Sequence, residues 1–234
     1  MKNKILVSAL ALATAFAHAA GDEPIRRIDV YVSPYYAAAS DANSAPQVSV
    51  GGAPFDQLLA STRREDILAA RDRIQAEPDV ITPMTLMVLA IRLYDVGERD
   101  DAVFWFYVAK HRYPTLAHSA DVNAPALREA HSAVVAFSNL AGPYINSYAF
   151  CDVKKQQTAN QRAYEWVRDH PYAALYHEKL PRLPGDPQAN IQKGLDAIAK
   201  GIADEKALVA DPKAMAELQQ RRKKNNVDAQ FCWK

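Results

Sequence analysis

The stretch from Thr82 to Pro114 is the densest apolar block in the chain after its N-terminal leader, and it predicts two helices folded back on one another. Thr82 suits the N-cap position of the first helix. Pro83 suits the first helical position, where a missing N–H costs nothing. Gly97 is placed to end this helix in the left-handed conformation. A folded form of this chain must therefore bury most of this hairpin.

The second helix of the hairpin is expected from about Asp101 to Arg112, and Pro114 is expected to prevent its continuation. Residues 103–108 are apolar or aromatic on every side, so more than one element must cover the helix. A central core helix is the preferred interpretation. The alternative is that an edge at Trp105 or Tyr107 lines a groove for a partner, because aromatic residues dominate interface hot spots.

The hairpin also has small and apolar residues at set offsets. They are Leu86, Leu89, Ala90 and Leu93 in the first helix, Gly97 at the turn, and Ala102, Phe106, Ala109 and Pro114 in the second. In these positions it resembles a tetratricopeptide or Sel1-like repeat, a helix–turn–helix unit of about 34 residues. The resemblance covers this hairpin alone. It implies a unit that binds protein segments and performs no catalysis.

The chain begins with the pattern of a secretory signal peptide. Lys2 and Lys4 form a positive region, residues 5–17 are apolar, and Ala17-His18-Ala19 is an A-x-A cleavage site. Cleavage is expected after Ala19, which leaves a mature chain that starts at Ala20. The residue after the cleavage site is not Cys, which argues against a lipid anchor, and no later segment reaches the apolar length of a membrane helix. The sequence predicts a periplasmic protein without a membrane anchor.

Charge excludes one class of partner. Removing Lys2 and Lys4 lowers the Lys and Arg count from 28 to 26 against 27 acidic residues, a formal net charge of −1. A near-neutral chain has no electrostatic footprint for nucleic acid.

Two cysteines remain, Cys151 and Cys232, and an oxidising compartment favours a disulfide between them. Closing a loop of roughly 80 residues would stabilise the fold by about 4 kcal/mol on the chain-entropy model. The alternative is two buried free thiols.

The fold class expected for the whole chain is mainly α, a compact helical domain built round the hairpin with a short N-terminal region of strand and loop. The N-terminal region spans 20–60, the helical core 61–180, and the C-terminal helices 181–234 pack on the core as one domain. Two short strands are expected, Ile28 to Val32 and Gln47 to Val50. The segment 20–57 is expected to contain no helix.

Helix boundaries follow from caps and breakers. Thr62 and Glu65 are expected to form a capping box. The other expected boundaries are a stop at Pro78, a helix from near Pro125 to Gly142-Pro143, a helix from Gln157 to Asp169, an amphipathic helix containing Ile191 to Ile202, and a last helix from Asp211-Pro212 to Lys224. The tail at Phe231 to Trp233 is apolar and is expected to dock on the body of the protein.

Candidate sites are few. Tyr31, Tyr35 and Tyr36, beside a loop of small polar residues, form a candidate binding edge. The acidic residues Asp95, Glu98, Asp100 and Asp101 cluster at the hairpin turn, where helix capping is favoured over Ca²⁺ binding. The histidines have no zinc spacing and no nucleophile motif occurs, so no catalytic residue, metal or cofactor is predicted.

These observations favour a periplasmic protein-binding module. A more specific form is an immunity-type inhibitor of an envelope-targeting toxin, by analogy with exported proteins that have similar repeat helices. The alternatives are an envelope enzyme whose catalytic residues come from distant segments and an assembly adaptor of an envelope complex.

Overall fold

The computed structural model describes residues 24–28, 36–37, 47–48 and 53–232. Within these ranges the chain forms nine α-helices, and the predicted mainly α fold is confirmed. The helices are α1 Ala53–Ala60, α2 Arg64–Ala76, α3 Pro83–Asp95, α4 Arg99–Ser119, α5 Arg128–Ala149, α6 Val153–Asp169, α7 Pro187–Ala210, α8 Pro212–Lys224 and α9 Val227–Phe231. Two 3₁₀ turns, Pro78–Val80 and Ala173–Tyr176, connect them.

The N-terminal region differs from the expectation. Strands β1 (Tyr36–Ala37) and β2 (Gln47–Val48) pair antiparallel. β2 lies in the second predicted strand, whose last two residues are outside the described residues, and its partner β1 lies outside the first predicted strand. Residues 24–28 have no regular secondary structure, and the rest of the predicted first strand lies outside the described residues.

Helix α1 was not predicted. Its sequence does carry a helical spacing at Phe55, Leu58 and Leu59. Leu59 is buried and the other two pack against the core. The helix forms because this apolar stripe is covered by α2 and α3, although the Gly-rich segment before it suggests a loop.

The predicted ends of α3 are confirmed. The Thr82 hydroxyl accepts a hydrogen bond from the Thr85 N–H at 3.0 Å, and Pro83 is the first helical residue. Gly97 has φ of +93°. The Gly97 N–H donates to the Tyr94 carbonyl and the Glu98 N–H to the Leu93 carbonyl, the two bonds of a Schellman motif.

Helix α4 lies at the centre of the molecule and packs against α3, α5, α6 and α7. Contrary to the prediction, it continues through Pro114 to Ser119. Proline removes one helical bond at a cost of about 3 kcal/mol. The turns beyond the proline pack against α7 at Gly194, and the buried hydroxyls of Thr115 and Ser119 are satisfied by the carbonyls of Arg112 and Thr115 at 2.7 Å each.

The boundaries of two further helices differ from the prediction. Helix α5 starts at Arg128 and passes through Gly142-Pro143 to Ala149, because Ile145 and Ala149 beyond the proline are buried. Helix α6 starts at Val153 instead of Gln157, and the Asp152 carboxylate caps it.

At the start of α2 the expected capping box is absent from the described structure. Arg63 occupies the N-cap position, one residue after Thr62. The helix ends at Ala76, just before Pro78.

The C-terminal region packs on the core chiefly through α7, which lies against α4 and α6. Cys151 and Cys232 form the predicted disulfide. Phe231 at the end of α9 is buried, with its ring centroid 6.1 Å from that of Tyr144 in α5. The tail therefore docks on α5 as expected, up to the last described residue.

In the part of the chain that the structure describes, none of the helices combines the length and the apolar character that crossing a membrane requires.

Gly194 sets how closely α7 approaches α4. A Cβ at this position would lie 2.8 Å from the Thr115 Cα and 3.1 Å from the Pro114 carbonyl oxygen. We expect Gly194→Ala to destabilise the protein by about 1–3 kcal/mol, because rigid backbone must move away. Gly201 lies on the same helix, and a Cβ added there would meet nothing within 4 Å, so Gly201→Ala is the matched control and should be neutral or stabilising. Urea unfolding of the two variants checks this, and equal midpoints would contradict the close packing.

Candidate functional site

The two aromatic residues predicted for a partner surface lie inside the core. Trp105 is 1% exposed and packs edge-on against Trp166, with ring centroids 5.4 Å apart. Tyr107 is 3% exposed and donates its hydroxyl to the Asn146 side-chain oxygen at 3.2 Å. Neither residue reaches a surface in this fold, so the groove hypothesis for them is wrong. The alternative interpretation, a central core helix, is the one that the structure has.

The other predicted binding residues belong to the N-terminal region. Tyr31 and Tyr35 lie outside the described residues. Tyr36 belongs to β1, but its side chain is outside the described part. This binding edge stays a prediction.

The acidic residues at the hairpin turn bind protein groups. Their partners are the Ile28 N–H and Arg92 for Asp95, Arg64 for Glu98, the Tyr148 hydroxyl for Asp100, and Arg71 for Asp101. The carboxylates therefore tie the turn to α2, α5 and residues 24–28. Over the described ranges, no group of three or more acidic, His or Cys side chains is arranged to hold a metal ion.

A buried network of polar side chains joins α4, α6 and α7, and we call it the polar cluster: Tyr107, His111, Gln156, Asn160 and Glu205. Glu205 accepts the side-chain amides of Gln156 at 2.8 Å and Asn160 at 2.9 Å. The Gln156 amide also donates to the Tyr107 hydroxyl at 2.8 Å. His111 Nε2 lies 2.6 Å from the Asn160 side-chain oxygen. Since that oxygen belongs to an amide and can only accept, Nε2 carries the proton.

Burial shifts the pKa values in the polar cluster. Desolvation lowers the pKa of His111 to about 4, opposed by its hydrogen bond to Asn160, so the ring is neutral at pH 7. Desolvation also raises the pKa of Tyr107 well above its ordinary value, so the phenol keeps its proton.

The polar cluster resembles a catalytic constellation in its residue types and differs from one in its geometry. His111 is only 9% exposed, and its neighbours bond to one another instead of lining a cleft. One atom, the Gln156 side-chain oxygen, has no hydrogen-bond partner in the described part of the chain. The network is best explained as the connection that holds α7 against α4 and α6 in one orientation.

Arg112 forms a second buried polar connection. Its guanidinium donates to the carbonyl oxygens of Pro78 at 2.7 Å, Ile81 at 2.8 Å and His170 at 2.7 Å. It also lies against the rings of Trp166 and Tyr172, at 4.7 and 5.6 Å from their centroids. Burial lowers the pKa of Arg112 to about 10, so it stays charged at neutral pH. This one side chain fixes both 3₁₀ segments relative to α4.

Beside Tyr172 the surface opens into a small recess, which we call the Tyr176 groove. Its lining residues are Thr115, Val167, Arg168, Pro171, Tyr172, Leu175, Tyr176, Gln188, Ile191 and Leu195, from α4, α6, α7 and the second 3₁₀ turn. The cavity volume is about 120 Å³. Small-molecule sites are usually several hundred Å³, so this recess fits one anchoring side chain better than a cofactor. Tyr176 on its rim is 49% exposed.

The sequence carries little indication of the Tyr176 groove. Its residues come from three separate stretches of the chain, Thr115, 167–176 and 188–195, and the exposed Tyr176 lies in a turn outside any periodic pattern. The signal that could have found it is the cluster Pro171-Tyr172 and Leu175-Tyr176 in a short segment between helices, where large apolar residues have no helix face to occupy.

Comparison with known proteins finds an uncharacterised relative. The chain is 31% identical over 211 residues to a protein of Haemophilus influenzae (strain ATCC 51907 / DSM 11121 / KW20 / Rd), and the match covers 90% of this chain and 81% of the relative. No family model matches the chain. No solved structure matches it either.

The buried neutral His111 makes stability depend on pH. An unfolded chain binds a proton at an ordinary histidine pKa of about 6.5, whereas the folded chain does so only near 4. The contribution of neutral His111 to the free energy of unfolding is complete above about pH 6.5. It is lost as the pH falls towards 4, because the unfolded chain then binds a proton that the folded chain does not. We expect wild type to lose about 2–3 kcal/mol more than His111→Gln between pH 7 and about pH 4.5, measured by urea unfolding.

His118, which is exposed on the same helix, supplies the matched control. His118→Gln should keep the wild-type loss of stability at acid pH. An identical pH dependence for wild type and His111→Gln would show that burial of His111 has no such effect.

Proposed function

We propose that this chain, which belongs to the same family as the Haemophilus influenzae protein, is an exported protein-binding module that holds an apolar side chain of its partner in the Tyr176 groove. The observation that carries the proposal is the half-exposed Tyr176 beside a recess lined by Leu175, Ile191 and Leu195. An exposed tyrosine next to a recess with aliphatic side chains in its wall has the composition of an interface hot spot.

Core contacts hold the walls of the Tyr176 groove, which favours binding. The stacked Arg112 guanidinium holds Tyr172, and Arg112 is itself bound to three backbone carbonyls. The opposite wall belongs to α7, where Gly194 allows a close approach to α4. A preformed recess binds with a smaller loss of side-chain freedom than one that must be ordered by its partner.

Export is part of the proposal. The first 19 residues have the pattern of a cleavable signal peptide, and the Cys151–Cys232 disulfide is consistent with an oxidising compartment. In a bacterial envelope this compartment is the periplasm, where disulfides form and persist.

The proposed partner is either a protein of the bacterial envelope or a protein that attacks the envelope. The α3–α4 hairpin resembles tetratricopeptide and Sel1-like units, and small exported proteins with such helices resemble some immunity-type inhibitors. We therefore propose stoichiometric binding to an envelope-targeting toxin as the specific form of the function. This step is analogy at the level of the fold.

The test compares the partner affinity of the wild type with that of variants in the Tyr176 groove. The mature chain, residues 20–234, is crosslinked in periplasmic extract, and the captured protein is purified and its affinity measured. Tyr176→Ala should weaken binding at least about 30-fold, as expected for a hot-spot residue that contributes about 2 kcal/mol. Val135→Ala on α5 is the control, because Val135 is 40% exposed and lies outside the groove.

Circular dichroism establishes that each variant is folded. Unchanged affinity of folded Tyr176→Ala would remove the Tyr176 groove from the proposal. Absence of any stoichiometric partner for the folded, exported protein would instead favour the enzyme alternative.

Export makes a separate prediction. Protein isolated from the envelope fraction should have Ala20 as its first residue, which N-terminal sequencing or intact mass measures directly. Replacing Ala17 and Ala19 by Gln should block cleavage and leave the longer precursor, because the A-x-A site requires small residues. An intact N-terminus at Met1 in folded wild-type protein would contradict export by this signal.

A further inference from the structure

We propose that the Cys151–Cys232 disulfide is a reducible latch that holds α9 and the N-terminal segment against the helical core. The N-terminal segment here means residues 24–28, which the structure describes. This inference is independent of the Tyr176 groove, which lies among α4, α6 and α7.

The N-terminal segment depends on α9 for part of its attachment. The Ile25 N–H donates to the Gln230 carbonyl of α9 at 2.9 Å. The Ile25 carbonyl accepts the Tyr94 hydroxyl at 3.2 Å, and the Ile28 N–H donates to the Asp95 carboxylate at 2.6 Å. The segment therefore lies between the end of α3 and the end of the chain. The Arg26 carbonyl also accepts from Arg99 of α4 at 3.3 Å, and Ile28 is buried in the core. Releasing α9 therefore removes the support at the Ile25 N–H and leaves those at Arg26 and Ile28.

Helix α9 has few other attachments to the core. It is five residues long and packs against α5 and α8. Phe231 is its buried residue, and within the described chain none of the thirteen residues of α8 is buried. Short helices are not stable alone. The disulfide to Cys151, in the middle of the short connection between α5 and α6, is therefore a main connection of α9 to the body.

The surroundings of the disulfide favour its reduction. Cys151 is exposed, so a reductant can reach it. Arg222 places one guanidinium nitrogen 3.1 Å from the Cys232 sulfur and 3.5 Å from the Cys151 sulfur. A neighbouring guanidinium stabilises a thiolate, and a thiol of lower pKa is a better leaving group in thiol–disulfide exchange.

The reaction is exchange with a dithiol. A thiolate of the dithiol attacks the exposed Cys151 sulfur and forms a mixed disulfide, while Cys232 leaves as a thiolate beside Arg222. The second thiol of the dithiol then attacks the mixed disulfide and releases Cys151. The dithiol becomes a disulfide, and its two protons end on the two cysteines. Two electrons pass from the dithiol to the protein disulfide.

Opening the latch uncovers an aromatic surface. Phe231 packs edge-on against Tyr144 of α5, and the hydroxyl of Tyr94 in α3 donates to the N-terminal segment. Tyr94 and Tyr148 are themselves in edge contact, with centroids 6.4 Å apart. Reduction is therefore expected to expose the rings of Phe231 and Tyr144 and to loosen the N-terminal segment at Ile25, while the core stays folded.

The first test measures the rate of reduction. The oxidised protein is mixed with dithiothreitol, and free thiol is followed in time. Arg222→Gln should react about 3–10-fold more slowly than wild type, because the leaving thiolate loses its cation. Arg221→Gln is the matched control, because Arg221 is the neighbouring residue in sequence and is exposed to solvent. This substitution should leave the rate of reduction unchanged.

Asp228 allows a test in the opposite direction. Its carboxylate pairs with Arg222 at 2.8 Å and lies 3.6 Å from the Cys232 sulfur. Asp228→Asn should therefore speed reduction, because a negative group beside the leaving thiolate is removed. If Arg222→Gln reacts as fast as wild type or faster, Arg222 does not activate the disulfide and this part of the proposal is overturned.

The second test measures release of the segments. Amide hydrogen exchange is compared between oxidised wild type, reduced wild type and a Cys151→Ser, Cys232→Ser double variant. The Ile25 and Cys232 amides should exchange at least about tenfold faster without the disulfide, while the Glu98 amide in the hairpin turn keeps its protection. Unchanged exchange at Ile25, or loss of protection throughout the chain, would each overturn the latch.

Discussion

Burial of α4 on every side is the constraint on which the rest of the structure depends. Seven of the eight residues from 102 to 109 are buried, and four helices cover them. A helix without a polar face cannot lie at a surface, so α3, α5, α6 and α7 must surround it. This requirement also explains why α4 does not end at Pro114, because the turns beyond the proline are part of the surface on which α7 packs.

Two buried polar arrangements then fix how the surrounding helices are oriented. Apolar packing alone would allow α7 to slide or rotate. The hydrogen bonds from the side-chain amides of Gln156 and Asn160 to Glu205 form in only one orientation of α7. Arg112 fixes the orientation of the 3₁₀ segments, because its planar guanidinium donates to three backbone carbonyls at once. The Tyr176 groove is formed where these two fixed regions meet. Its shape therefore follows from core polar bonds and not from the residues on its rim.

The sequence predicted what local chemistry determines. The Thr82 cap, the left-handed Gly97, the mainly α class and the Cys151–Cys232 bond all follow from a few neighbouring residues or from the cysteine count. The sequence failed where distant packing overrides local preference, as at Pro114 and Pro143, which lie inside helices. It also placed Trp105 and Tyr107 in a candidate surface, because aromatic residues are typical of both cores and interfaces. The Tyr176 groove could not be predicted, since three separate stretches of the chain form it.

The position of the hairpin bears on how a partner would be bound. In repeat arrays the helices of each unit contribute to an extended concave surface. Here ten of the thirteen residues of α3 are buried, and α4 is covered by four helices, so the hairpin presents no such surface in the part of the chain that the structure describes. The proposed binding therefore uses a different part of the molecule. A recess of about 120 Å³ beside an exposed tyrosine has room for about one side chain, so the proposal favours a folded partner with a protruding apolar residue over a long extended peptide.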